Sequence, residues 1–165
     1  MQRLEIKSAF GVDDAGVITG KAWVFGTADR MGDIIEKGAF LSPSQLPMLF
    51  QHDPAEPVGV WDKITETVDG LQVKGRLLIA DVARAREVRA LVQAKAITGL
   101  SIGYSVKQAT GRKGGGRIIK SLELAEISLV TIPMHPGARV TSAKSASELF
   151  AIVDAVNRAA LAFRT

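Results

Sequence analysis

The stretch Ser101-Ile102-Gly103-Tyr104-Ser105-Val106, with Arg117-Ile118-Ile119-Lys120-Ser121-Leu122-Glu123-Leu124-Ala125-Glu126-Ile127-Ser128-Leu129-Val130 beyond the Gly114-Gly115-Gly116 loop, decides the fold. Two strand-like arms joined by a glycine turn read as a β-hairpin. Upstream, Ile64–Val68 and Leu71–Leu77 flank Asp69-Gly70, a pair suited to the positive backbone angles of a tight hairpin turn. Gly16–Phe25 follows the Asp13-Asp14-Ala15-Gly16 turn signal and reads as another strand. Two segments have helical spacing. Asp81 is placed to cap a helix running to about Ala96, with Val82, Ala85, Val88, Leu91 and Val92 as its apolar stripe. A second helix is expected from Ser145 or Ser147 through Phe163, after the small polar linker Thr141–Ser145. The expected fold is therefore α+β, a mainly antiparallel β-barrel with about two flanking helices. The barrel domain would occupy residues 1–140, and a linker with a docking or removable helix residues 141–165.

The bulk properties narrow the chemistry. A chain of 165 residues, 47% hydrophobic and 23% charged, is long enough to bury a sizeable core. Zero cysteines exclude disulfides, thiol catalysis and cysteine-ligated zinc. Two histidines, His52 and His135, are too few for an all-histidine metal centre, and no cofactor is expected. No apolar run approaches the ~18 residues of a membrane span, and the N-terminus lacks a secretory layout; a cytoplasmic, membrane-free protein is the expectation. The net charge of +4 is dispersed apart from Arg112, Lys113, Arg117 and Lys120 around the glycine loop. With one tyrosine and two tryptophans there is no evident base-stacking platform, so no nucleic-acid partner is expected. The triple glycine is followed by Arg-Ile-Ile and not by Lys-Ser/Thr, which argues against a phosphate-binding loop.

Three segments carry candidate chemistry. In Leu46–Pro54, an apolar run leads to His52 and is expected to break at Asp53-Pro54, leaving the histidine at a strand end as a potential general base; a surface turn histidine is the bland alternative. In Ile97–Tyr104, Ser101 lies between Gly99 and Gly103, where close approach of backbone or substrate is possible; it is not a nucleophile elbow, and an ordinary strand serine is the alternative. In Leu122–Pro133, alternation puts Leu122, Leu124, Glu126, Ser128 and Val130 on one face. A carboxylate at Glu126 among apolar neighbours needs a partner, unless it lies on a solvated edge.

These segments, in order with Gly38-Ala39-Phe40, Pro57-Val58-Gly59 and Glu126-Ile127-Ser128-Leu129-Val130-Thr131-Ile132-Pro133, resemble the phage prohead (capsid maturation) serine protease family, distant relatives of the herpesvirus capsid protease, assemblin. The resemblance runs from about Trp23 to Val140. It implies a herpesvirus-protease-like barrel and a serine endopeptidase that processes capsid and scaffold proteins inside the immature shell, within the host cytoplasm. The motif positions fall on Ser101 as nucleophile, His52 as base and Glu126 as the third, acidic member, with His135 as a competitor for that role because the herpesvirus enzymes use a second histidine. By the same analogy the Met134–Arg139 turn would supply the oxyanion donors. The major capsid protein and scaffold segments are the implied substrates, a homo-oligomer is expected, and the chain is a candidate for self-cleavage. The rival reading is a catalytically inactive barrel acting as a capsid-assembly scaffold or interaction module.

Overall fold

The computed structural model describes residues 12–41 and 45–141. The strands are β1 (Val17–Val24), β2 (Ile34–Ile35), β3 (Phe40–Leu41), β4 (Leu46–Phe50), β5 (Asp53–Glu66), β6 (Gly70–Leu77), β7 (Gly99–Gly111), β8 (Arg117–Val130) and β9 (Arg139–Thr141), with helix α1 (Ala83–Gln93) between β6 and β7. Seven strands close into a barrel in the order β8-β4-β5-β6-β1-β9-β7 and back to β8. Closure leaves the ring without a free edge. Every seam is antiparallel except β4–β8, which is parallel. The expected α+β, mainly antiparallel barrel is thus the observed architecture, and it carries one helix among the described residues. The helix expected from Ser145 or Ser147, and with it all of the 141–165 segment except Thr141, lies outside the described residues.

The long strand β8 organises the rest. Along one edge it takes β2 at Ile118 and Ile119, β3 at Leu122 and Glu123, and β4 at Ile127–Leu129, all parallel. Its other edge pairs with β7 from Gly99↔Val130 to Gly111↔Arg117, the hairpin read from the sequence. The core is filled by Ile18, Trp23, Met48, Val58, Trp61, Leu71, Leu100, Leu122, Ile127 and Leu129. The Trp61 indole N–H donates to the Ile127 carbonyl at 2.9 Å, which satisfies a polar group that burial would otherwise strand. Helix α1 buries Ala85, Val88 and Val92, one face at helical spacing, while Leu91 stays partly exposed. Its N-cap is Val82, with no side-chain cap, so Asp81 does not play the capping role expected of it.

Two local readings change. In the β5–β6 hairpin the Thr67 N–H bonds the Gly70 carbonyl at 2.8 Å, so Val68 and Asp69 form the turn centre and Gly70 opens β6. Glycine is needed there for a close approach: a Cβ would run into the Trp23 carbonyl oxygen. In β8, the register passes from Gly103↔Glu126 to Tyr104↔Leu124, leaving Ala125 as the extra residue of a bulge. A bulge inverts the alternation, so the single face read from Leu122 to Val130 is split. Leu122 and Leu124 join Ile127 and Leu129 in the core, whereas Glu126 shares its face with Ser128 and, across the seam, Ser101.

Candidate active site

His52 sits in the tight connection between β4 and β5. Phe50 pairs with Asp53, so Gln51 and His52 are a two-residue hairpin loop. Their φ angles of 54° and 61° are both left-handed, the signature of a type I′ turn. Such turns favour Asn and Gly; side chains like these in that region typically cost about 1–3 kcal/mol each and persist only where the surroundings hold them. The C-terminal end of β8 and the residue beyond it do the holding. Gln51 N–H donates to the Leu129 carbonyl at 3.0 Å, Gln51 Nε2 to Thr131 Oγ1 at 2.7 Å, and His52 N–H to Ser128 Oγ at 3.1 Å. The chain reverses at His52 itself, and Asp53-Pro54 opens β5 rather than ending a strand. Residues 54–56 fall in a register slip between Phe50↔Asp53 and Leu49↔Pro57, where the missing proline N–H is not needed.

The histidine's side chain meets Glu126. His52 Nδ1 lies 2.6 Å from Glu126 Oε1, and Ser128 Oγ lies 2.6 Å from Glu126 Oε2. A carboxylate only accepts, so Nδ1 carries the proton and the neutral imidazole leaves Nε2 as a free base. The carboxylate is largely enclosed, with 13% of its side chain exposed against 43% for His52. The hydrogen bond to Glu126 is the main cause that raises the His52 pKa above its ordinary value; partial burial opposes it, and the Glu126 charge adds to it.

Ser101, on β7, pairs with Ser128 on β8, so both hydroxyls rise from the face that carries Glu126. Ser101 is 4% exposed and, with His52, lines a cleft of about 540 Å³ whose walls include Ile102, Tyr104, Met31 and Met134. No hydrogen bond joins Ser101 to His52 here; such bonds often form only when substrate closes the site. Two acids, Asp29 and Asp33, also reach the cleft. Asp29 Oδ1 accepts the N–H groups of Met31 and Asp33, each at 2.9 Å, which shapes the loop. Asp33 is paired with Arg117, whose hydrogen bond holds the Asp33 carboxyl below its ordinary value despite burial.

His135 has different company. Its Nδ1 accepts the Gly137 N–H at 3.0 Å, so the proton rides on Nε2, facing the Thr27 carbonyl at 3.3 Å and Thr27 Oγ1 at 3.1 Å. The ring packs edge-on to Trp23 with centroids 4.5 Å apart. Burial pushes its pKa down, consistent with a neutral ring that fastens the 133–138 loop to β1 and the loop after it. Both ring nitrogens are engaged, and neither is offered to His52. The same turn uses its own donors: Gly137 N–H goes to His135 Nδ1 and Ala138 N–H to the His135 carbonyl at 3.0 Å. Those two amides are therefore not free to serve as the oxyanion donors expected of the Met134–Arg139 turn.

A family model described as the caudovirus prohead serine protease matches residues 2–151. The chain belongs to that family. Among its relatives, the prohead protease of Enterobacteria phage HK97 is 35% identical over 150 residues, covering 86% of this chain and 66% of that protein. The capsid polyprotein of Pseudomonas phage PAJU2 is 35% identical over 170 residues, covering 98% of this chain and 24% of the polyprotein. The chain thus spans just under two thirds of the first relative and about a quarter of the second. Among solved structures, KSHV protease in complex with a hexapeptide phosphonate inhibitor is 16% identical with a TM-score of 0.47, over 75% of this chain and 63% of that one.

In this chain the sequence points to Ser101, His52 and Glu126 but not to Ser128. The signal was present: in a strand, residues two apart share a face, so Ser128 stands beside Glu126. The glycines around Ser101 mark close approach of backbone or substrate in the sequence, and in the structure protein atoms make that approach. A Cβ on Gly99 would meet Pro133, and one on Gly103 would run into the Glu126 carboxylate. Gly103 is the gap through which Glu126 lies across β7.

Proposed function

We propose that the chain is a serine endopeptidase that processes capsid and scaffold proteins during phage prohead maturation, with Ser101 as nucleophile, His52 as general base and Glu126 as its orienting acid. The observation that carries this reading is the Glu126–His52 pair, which leaves Nε2 unprotonated on a cleft that Ser101 also lines. Ser101 Oγ attacks the scissile carbonyl carbon as its proton passes to His52 Nε2. Collapse of the tetrahedral intermediate breaks the C–N bond, and the departing amine takes the proton from Nε2. Water, deprotonated by the same nitrogen, then attacks the ester carbonyl, and Nε2 passes the proton to Ser101 Oγ as the ester C–O bond breaks. Throughout, Glu126 keeps the Nδ1 proton in place and stabilises the transient imidazolium.

Family membership supports capsid proteins as the substrates, as does the match to a segment of a capsid polyprotein. The place of action would be the interior of the immature capsid in the host cytoplasm. Self-cleavage and homo-oligomer formation belong to the same proposal; the first is tested by the mass of the chain in mature particles, the second by sedimentation of the intact chain in solution. The test of the chemistry is intact-mass analysis after treatment with a fluorophosphonate, in the free chain and in particles assembled with capsid protein. A single adduct on Ser101 is expected. Because the base must be neutral and the His52 pKa is raised, the labelling rate should fall on the acid side with a midpoint above the ordinary histidine value of about 6.5. No adduct in either setting would leave a non-catalytic capsid-assembly module.

The same scheme makes Gly103 sensitive. Gly103→Ala places a methyl group against the Glu126 carboxylate, while alanine is otherwise easily accommodated in a strand interior. A displaced orienting acid should slow Ser101 labelling about 10- to 100-fold, on the scale of a 1 Å misplacement. The thermal midpoint should move little. Wild-type labelling in Gly103→Ala would show that Glu126 has no orienting role or moves freely.

A further inference from the structure

We infer that Ser128 is a positioning residue that locks both the backbone and the ring of His52 through a single hydroxyl, an inference that rests on the proposed roles of His52 and Glu126. Ser128 is fully buried, and its hydroxyl has a partner on each side. It accepts the His52 N–H at 3.1 Å and donates to Glu126 Oε2 at 2.6 Å; Glu126 Oε1 then accepts the His52 Nδ1–H at 2.6 Å. The three bonds close a ring that begins on the main chain of His52 and ends on its imidazole. Each side of the ring removes one freedom. The backbone bond pins the left-handed turn, which no glycine or asparagine favours at that position. The bond to Oε2 fixes the rotation of the Glu126 carboxylate, so that Oε1 faces Nδ1.

Geometry assigns these tasks to Ser128 and not to generic packing. Its oxygen is simultaneously acceptor to one partner and donor to the other, which a hydroxyl can be and an alkyl group cannot. Ser128 is also the cross-strand partner of Ser101, so the residue that fixes the base is registered directly opposite the proposed nucleophile. A slip of one residue in that seam would move Ser128 to the core face and break the ring.

The test reads His52 itself. In chain labelled at histidine, NMR follows the two imidazoles across pH, with His135, outside the ring, reporting whether the barrel is intact. In Ser128→Ala and Ser128→Cys, where the hydroxyl is lost or replaced by a weak donor, the His52 midpoint should fall by about half a unit or more towards the ordinary value as the bond to Glu126 loosens. The His135 signals should stay in place, and Ser128→Thr should restore the wild-type His52 midpoint. In a Glu126→Ala background the Ser128→Ala change should add no further shift. Cysteine fills the site, so Ser128→Cys decides the matter if the alanine variant unfolds. An unchanged His52 midpoint in a folded variant without the hydroxyl overturns the inference, as does an equal shift in the Glu126→Ala background. Because the readout needs no substrate, it stands apart from fluorophosphonate labelling: a failure there sinks the proposed nucleophile and leaves the role of Ser128 to be read.

Discussion

Ser101→Ala is expected to reduce cleavage of a capsid-protein substrate by about 10⁵- to 10⁶-fold, the scale seen when a member of a working serine triad is removed. The substitution deletes one oxygen that makes no hydrogen bond among the described residues, in a strand whose ladder to β8 is built from backbone groups. Its effect on stability should therefore stay under about 1 kcal/mol, the scale of a single ordinary hydrogen bond. This separation of effects makes the variant informative. A residue that merely filled the seam between β7 and β8 would show the reverse, a stability change with activity intact. The measurement is the rate of capsid-protein cleavage in co-assembled particles beside the urea midpoint of the isolated chain. Cleavage at the wild-type rate would remove Ser101 from the mechanism, and loss of activity together with loss of fold would show that the assay reads stability. Binding of the peptide should survive, because Ile102, Tyr104, Met31 and Met134 still line the cleft.

The parts of this site that could be read from the sequence are those set by local pattern. Both hairpins, the helix after Leu78 and the ordering of Ser101 and Glu126 on paired strands follow from turn residues and alternation, which act over a few positions. The parts that could not are set by what the strands meet. The bulge at Ala125 leaves no mark in the alternation itself, because Leu124 and Glu126 remain two apart; only the pairing with Gly103 and Tyr104 reveals that they face opposite ways. The Gln51–His52 turn lacks the Asn-Gly signature of its type, since the bonds from Ser128, Leu129 and Thr131, nearly 80 residues away, hold it in place. For the same reason Pro54 looks in the sequence like the end of a strand, although it lies at the opening of one. His135 illustrates the converse. Its position near Glu126 in sequence made it a competitor for the third role, but the chain turns between them, and its ring is spent on Thr27, Gly137 and Trp23.

Glu126→Gln should lower kcat by about 10³- to 10⁴-fold with a much smaller change in KM, the scale seen when the orienting acid of a serine triad becomes an amide. The reason lies in the count of donors and acceptors. The carboxylate receives two hydrogen bonds, from His52 Nδ1–H and from the Ser128 hydroxyl. Glutamine has the same shape but offers one acceptor and one donor group. If its NH₂ faces His52, Nδ1 must accept, the proton moves to Nε2, and the base is blocked. If its oxygen faces His52, the NH₂ meets a Ser128 oxygen that already accepts the His52 N–H, and the hydroxyl proton loses its acceptor. Either arrangement abandons part of the ring, and both lose the negative charge that would stabilise the imidazolium. The pH dependence separates these losses from simple unfolding. Without the hydrogen bond and charge that raise the His52 pKa, the acid limb of the residual activity should move to lower pH, opposite to the change expected if stability alone were failing in acid. A Glu126→Gln variant with wild-type kcat and an unmoved acid limb would show that the 2.6 Å contact orients nothing. It would also reopen the third position of the triad, for which the engaged ring of His135 offers no free nitrogen.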